Sequence, residues 1–318
     1  MQVRNLGRSG LKVSEIALGN WLTQGSTLSQ SDTTAIVKHA YDLGIFFFDT
    51  ADVYANGAAE TALGEALKDG PRRQDLVIAS KCYFPMTDSP NDRGLSRKHI
   101  FESVHASLKR LGTDYLDLLQ CHRFDTETPV QETVAAYSDL IRQGKILYWG
   151  VSEWSGPQIS EAAAIAKEIG GYAPISNQPR YSIFERYIEA EVIPASEAAG
   201  LGQVVFSPLA QGVLTGKYLP GQAPQPGTRG ADAEKGKWMG PFMTEERLTQ
   251  VQELKKLAEG IGITVGQLAL AWCLRQKNLS ACIIGATSPQ QLNENVGASG
   301  VSLSDDILLE IDRITLPQ

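Results

Sequence analysis

Four side chains in this 318-residue sequence could do acid–base chemistry together if the fold brought them to one place. Asp49 closes the apolar run "IFFFD", and Tyr54 follows five residues later. Lys81 closes "LVIASK", and His122 comes directly after "YLDLLQC". A lysine removed from water tends to lose its proton, but a carboxylate beside it keeps it an ammonium. An ammonium near a phenol favours the phenolate and lowers the phenol pKa from its free value of ~10. That makes Tyr54 a proton donor near neutral pH. An imidazole in the same place can hydrogen-bond a substrate oxygen. The set suits protonation of a carbonyl oxygen while a second agent attacks the carbon. Taken singly, each residue has an ordinary role: a turn or cap aspartate, a solvated lysine, a structural histidine, a packed tyrosine. Their recurrence at three successive strand ends is what points to a site.

The elements that must position them repeat as strand, then helix. Apolar runs at 15–19, 45–49, 76–81, 115–121, 146–151, 175–178, 203–207 and 281–285 read as eight strands. They are mostly continuous rather than alternating, as expected of parallel strands buried on both faces. Helical patterns lie at 29–44, 95–112 and 128–144. Ser31 or Asp32, Ser96, and Thr128 with Pro129 mark their starts, while Gly44 and Gly144 mark two ends. Strand ends from 19 to 207 fall 27–40 residues apart, close to the ~30 residues of one strand–helix–strand unit. The expected fold class is therefore α/β, a (β/α)8 TIM barrel, whose catalytic face lies at the C-terminal ends of the strands. An open doubly wound sheet is the alternative, but "ALGNWLTQG" after the first strand does not match G-x-G-x-x-G. The first 14 residues, with "GRSG" as a turn, read as a β-hairpin under the barrel, and 304–315 as an extra C-terminal helix. Two long insertions, 85–94 and the Gly- and Pro-rich 214–243, are expected to wall and cover the barrel mouth. No boundary divides the chain, so residues 1–318 are expected to form one barrel domain.

Composition narrows the function classes. The formal net charge is −7, and basic residues are scattered except for short pairs such as Arg72-Arg73. Nucleic-acid binding needs a concentrated cationic face and is not expected. No stretch approaches 18 apolar residues, so no membrane span is expected. The four cysteines form no C-x-x-C and no disulfide framework, and no metal site is expected. With no secretory leader at the start, a cytoplasmic setting is expected.

The segment "DTADVYANGAAETALGEAL" resembles the signature of the aldo-keto reductase superfamily, and the likeness runs nearly the whole chain. "RGLSRKHI", "YWGVSEWS", "SPLAQGVLTGKY" and "QLALAWCLR" are most similar to the branch of voltage-gated potassium channel beta subunits and their bacterial relatives. The resemblance implies a catalytic tetrad of Asp49, Tyr54, Lys81 and His122. It implies NADPH as hydride donor, bound across the barrel mouth without a Rossmann fold. Ser152, Asn177 and Gln178 match the nicotinamide carboxamide site, and Phe206 the aromatic that stacks on the nicotinamide. Ser207, Leu209, Gly212 and Lys217 match the pyrophosphate loop. Gly285, Thr287, Ser288, Gln291, Glu294 and Asn295 match the adenosine end, where a turn meets a helix N-terminus that favours an anionic phosphate. Trp21, Tyr83, Phe84 and Trp238 are candidates for an aromatic substrate pocket.

The sequence departs from the family pattern at several positions. Gln291 stands where many members have an arginine for the 2′-phosphate, which leaves NADH open as a second donor. Arg229, in the long insertion, aligns with an arginine used near the phosphates and could compensate. Glu153 stands where relatives carry Asn or Arg, and His122 where channel beta subunits have Asn. The implied function is NADPH-dependent reduction of aldehydes or ketones, with a small-molecule carbonyl as partner and a homo-oligomer as an open prospect. Two alternatives stand beside it: a Schiff-base aldolase built on Lys81, and a nucleotide-binding regulatory or redox-sensing subunit with slow turnover.

Overall fold

The computed structural model describes residues 1–316; the expected domain extends to residue 318, and its residues 317 and 318 lie outside the described residues. The chain opens with β1 (Val3–Asn5) and β2 (Lys12–Ser14), an antiparallel pair. Then follow β3 (Ile16–Gly19), α1 (Gln30–Asp42), β4 (Phe47–Asp49), α2 (Ala58–Leu67), β5 (Val77–Cys82) and α3 (Arg97–Leu111). Next come β6 (Leu116–Cys121), α4 (Val130–Arg142), β7 (Ile146–Ser152), α5 (Gly156–Glu168), β8 (Ser176–Gln178), α6 (Val192–Ala199) and β9 (Gly202–Val205). The chain continues through α7 (Ala233–Gly236), α8 (Glu245–Gly260), α9 (Val265–Leu274), β10 (Leu279–Ile284), α10 (Pro289–Val296) and α11 (Asp305–Thr315).

Strands β3 to β10 close into a parallel barrel in chain order, with β10 pairing back onto β3. This is the expected (β/α)8 barrel, with its hairpin and its extra helix. The alternating pleat of each strand sorts residues into two cores. Ala17, Phe47, Val77, Ala79, Leu118, Val204 and Ala281 fill the barrel interior, and Leu6 and Val13 of the hairpin segment plug its floor. A larger cluster, including Phe48, Ile78, Leu119, Trp149 and Leu268, packs strands against helices. One pleat above Phe47 and Val77, the register aligns Asp49 with Ala79, and one pleat above Ala79 and Leu118 it aligns Lys81 with Gln120. The polar residues thus form the top layer of the barrel filling, at the C-terminal rim.

Three details differ from the sequence expectation. Helix α1 is capped by Ser29, which accepts from Asp32 N–H, rather than by Ser31 or Asp32. Asp32 instead sits in the first turn, where its negative charge favours the helix N-terminus. The last strand but one ends at Val205, two residues early, because Ser207 turns into the left-handed region (φ 56°). The 214–243 insertion is not a bare loop: it carries α7 and short 3-10 turns, and buries Tyr218, Met239 and Phe242. No single helix among the described residues is long and apolar enough to cross a membrane.

Candidate active site at the barrel mouth

Asp49, Lys81, Tyr54 and His122 meet at the rim. Lys81 is fully buried, and its Nζ donates to Asp49 Oδ2 at 2.6 Å, to Thr50 O at 2.8 Å and to Tyr54 OH at 3.4 Å. Those are the three donors an ammonium has. The His122 ring lies edge-on to Tyr54 at 5.7 Å between centroids. The second Asp49 oxygen accepts from Gln178 Nε2 at 2.9 Å and from Gln120 Nε2 at 3.4 Å. Gln120 was not among the sequence candidates. The signal was there, a polar residue inside the otherwise apolar "LDLLQC", but nothing in one chain says which side of the strand it faces.

Tyr54 rides on a strained turn. Ala55 and Asn56 have left-handed φ of 48° and 51°, and Gly57 follows at 87°. Asn and Gly accept this geometry readily, whereas an L-alanine there costs roughly 1–2 kcal/mol. The turn is held from below by Asp52, whose backbone N–H donates to Lys81 O at 3.2 Å. Asp52 is wholly buried and its carboxyl accepts from Val53 N–H at 2.7 Å and Ser103 Oγ at 2.8 Å.

The electrostatics agree with one sequence expectation and correct another. Burial alone would lower the Lys81 pKa, but Asp49 and Tyr54 outweigh it and hold the ammonium above the ordinary lysine value. The Tyr54 phenol, expected to be lowered, is raised. Its burial exceeds the opposing pull of Lys81, and Asp49 adds to the rise. His122 is pushed well below the usual imidazole range by burial first, then by Lys81 and Arg123, so it is neutral at pH 7. Its Nδ1 has no hydrogen-bond partner among the described residues. Asp52 is raised to about 7, chiefly by burial.

The remaining candidates spread around the same rim. Ser152 Oγ donates to Gln178 O at 2.8 Å, tying β7 to β8. Asn177 does not join the Asp49 cluster; its Nδ2 turns to Gln203 of β9 at 3.4 Å. Glu153 has a clear structural role. From a left-handed position (φ 57°) its Oε1 accepts from Arg180 N–H at 2.6 Å and from Tyr187 OH at 2.9 Å, and so clamps the exit of β8. The Arg180 guanidinium lies 5.6 Å from the centre of the Phe206 ring.

The loop after β9 has the makings of an anion site. Ser207, Ala210, Gln211 and Gly212 are all left-handed (φ 56°, 45°, 59° and 94°), and successive turns of this kind aim backbone N–H groups into one concavity. The carbonyl of Leu209 accepts from Gly212 N–H at 2.8 Å, and Ser207 Oγ from Gln211 Nε2 at 2.6 Å. Lys217 approaches Gly212, where an added Cβ would lie 3.6 Å from its Nζ. Arg229 donates to Gln211 Oε1 at 2.6 Å. Neither cation has a carboxylate partner within 4 Å among the described residues. In the loop after the neighbouring strand β10, Ser288 caps α10 shortly after Gly285. Gln291 Oε1 accepts from Thr287 N–H at 2.8 Å, Glu294 O accepts from Gln267, and Asn295 is buried. A buried acceptor on Asn20, at the end of β3, also lacks a partner among the described residues. Two cations without counterions beside a loop of left-handed residues fit an anionic group, and the orphan acceptor on Asn20 fits a donor elsewhere on the same extended ligand.

The aromatic candidates divide into two pairs. Phe84 meets His122 edge-on at 4.9 Å, with Tyr83 behind it at 5.2 Å and packed against the outer core. Trp21 and Trp238 meet at 5.5 Å, so the 214–243 insertion does reach the loop after β3. Among the described residues, no group of three or more His, Cys, Asp or Glu could hold a metal ion.

A buried carboxylate–ammonium pair in contact with a phenol at the C-terminal rim of an eight-stranded barrel defines a class. The chain belongs to the aldo/keto reductase family, whose model matches residues 15–315. Within curated proteins it is similar to a "Probable voltage-gated potassium channel subunit beta" of Oryza sativa subsp. japonica, at 44% identity over 303 residues, 95% of this chain and 92% of the relative. A protein of the same description from Arabidopsis thaliana matches at the same identity and coverage. A "Putative voltage-gated potassium channel subunit beta" of Schizosaccharomyces pombe is 44% identical over 320 residues, 98% of this chain and 92% of the relative.

Proposed function

We propose that this chain, acting as one domain over residues 1–318, reduces aldehyde or ketone carbonyls to alcohols with NADPH as donor and Tyr54 as acid. The observation that carries the reading is the contact of Lys81 Nζ with both Asp49 Oδ2 and Tyr54 OH. When bound, the dinucleotide supplies the hydride to the carbonyl carbon. Tyr54 gives its proton to the carbonyl oxygen as negative charge grows there. The raised phenol pKa keeps that proton in place until then, and an alkoxide is basic enough to take it. Lys81 stabilises the phenolate left behind, and Asp49 keeps Lys81 charged. Neutral His122 can donate an N–H to the same oxygen and orient it. Gln178 and Ser152 suit the nicotinamide amide; Lys217 and Arg229 suit the phosphates. Trp21, Phe84 and Trp238 suit a substrate with an apolar or aromatic body.

A charged Lys81 held by Asp49 disfavours the Schiff-base alternative, since attack needs a neutral amine. The names of the relatives favour a second reading, a nucleotide-binding regulatory subunit with slow turnover. Two measurements separate the readings: NADPH and NADH titrations, and initial rates on an aldehyde panel. Tyr54→Phe should lose about 10²–10⁴-fold in turnover, the usual worth of a general acid, while NADPH affinity stays within about twofold. Turnover equal to wild type would remove Tyr54 from the mechanism, and tight binding with negligible wild-type turnover would favour the regulatory subunit.

A further inference from the structure

We propose that Asp52 and Arg110 are positioning residues: they dock the turn carrying Tyr54 onto one polar face of α3 and so set the reach of the phenol to Lys81. The inference rests on the reading of Tyr54 as proton donor. Ser103, Ser107 and Arg110 follow one another at spacings of four and three along α3, which places them on one face. The turn meets that face at two points. At its start, Ser103 Oγ donates to the buried Asp52 carboxyl at 2.8 Å. At its end, Gly57 lies on the arm of Arg110, where an added Cβ would be 2.8 Å from Cδ. Arg110 is itself fixed, by Glu60 Oε2 at 2.6 Å and Ser107 Oγ at 3.2 Å, and Glu60 is bonded in turn to Ser80, the neighbour of Lys81.

Between these two points lie Ala55 and Asn56, both left-handed. Strain of this kind persists only where the surroundings over-determine it. The Tyr54–Lys81 contact of 3.4 Å is already at the long end for a hydrogen bond, so a small shift of the turn would break it. The Asp52 carboxyl faces Ser103 and Arg110 of α3, Glu60 of α2 and the Cys82 thiol of β5. Burial and Glu60 raise its pKa, while Ser103 and Arg110 lower it, and the balance falls at about 7. Rising pH through this range strengthens the two hydrogen bonds that the carboxyl accepts, because they become bonds to a charged acceptor.

The test compares Asp52→Ala, Asp52→Asn, Ser103→Ala and Arg110→Met with wild type. It measures kcat, the KM for NADPH and for an aldehyde, and amide hydrogen exchange. Asp52→Ala and Arg110→Met should lower kcat by about tenfold or more, as small misplacements near the chemistry do, with the KM for NADPH within about twofold. Exchange should speed up at Val53, Tyr54 and Asn56 and not across the barrel strands. Asp52→Asn should restore most of kcat at pH 7, since an amide oxygen can still accept from Val53 N–H while its nitrogen donates to Ser103 Oγ, and the variant should lack the inflection near pH 7 that Asp52 gives the wild type. Ser103→Ala removes one bond without unburying a charge, and serves if Asp52→Ala does not fold. Unchanged exchange in the turn would overturn the docking, and altered exchange with unchanged kcat would overturn its role in positioning the donor. If Tyr54→Phe keeps full turnover, the donor reading fails separately, and the exchange data still decide whether α3 holds the turn.

Discussion

Arg229 has a guanidinium mostly withdrawn from water, one hydrogen bond to Gln211, and a pKa lowered by burial. A cation kept in this way beside a loop of left-handed residues, with no carboxylate partner among the described residues, is poised for an anion. Arg229→Ala should weaken NADPH by about 10- to 100-fold, the equivalent of the ~1.5–3 kcal/mol carried by a hydrogen bond to a charged group. NADH should lose far less, and parallel fluorescence titrations check this. Equal losses would mean that Arg229 does not distinguish the two. Asp49, Lys81 and His122 were legible in the sequence because each stands at the end of an apolar run. Asp52 was not, because its partner Ser103 lies 51 residues away and only the packing of α3 joins them. The rise of the Tyr54 pKa was also hidden. Its sign depends on a contest between burial and Lys81, and the depth of burial has no local signature.

Helix α2 shows how closely the elements behind the site are fitted. Gly64 lies within it, and an added Cβ would stand 2.6 Å from the carbonyl oxygen of Leu111, the last residue of α3. In an exposed helix, Gly→Ala would gain about 1 kcal/mol from propensity. Here the clash is with backbone, and overpacking typically costs about 1–3 kcal/mol. Gly64→Ala should therefore lower the urea midpoint; a higher midpoint would mean that α2 and α3 can slide apart freely. The eight strands were readable within about two residues, because continuous apolar runs and glycine stops follow from burial on both faces. The fold of the 214–243 insertion was not readable. Tyr218 lies far along the chain from the other two buried residues, and Met239 and Phe242 share only a single 3-10 turn that includes Pro241, too short a repeat to announce itself in the sequence, so their burial is visible only once the barrel they rest on is formed.

Stability of the whole molecule should depend on pH through groups held away from their ordinary titration. Asp52 binds a proton in the fold up to about pH 7, while an unfolded aspartate releases it near 4. The folded state therefore holds the extra proton in that window, and stability falls as pH rises from about 4 to about 7. His122 acts in the opposite sense: unfolded histidine takes a proton below about 6.5 while the buried ring refuses it, so stability falls as pH drops. In a comparison of Asp52→Asn with wild type, the histidine contribution cancels. The variant should gain about 2 kcal/mol relative to wild type between pH 5.5 and pH 8, at ~1.36 kcal/mol per unit over the part of the window below 7. Urea titrations at the two pH values measure this, and a difference independent of pH would show that Asp52 is already ionised at 5.5.

The floor of the barrel has a consequence for how the molecule is made. Arg4 donates to the carbonyl of Leu279 across 275 positions of sequence, and Ser280 Oγ returns a bond to Asn5 O. The ring itself is closed by the first and last of its strands. A growing polypeptide emerging from the ribosome thus carries a plug with nothing yet to seat in, and an apolar cylinder with a missing stave. Sealing waits on the arrival of residues near 280, and until then the inner wall is open to water and to other unfinished chains.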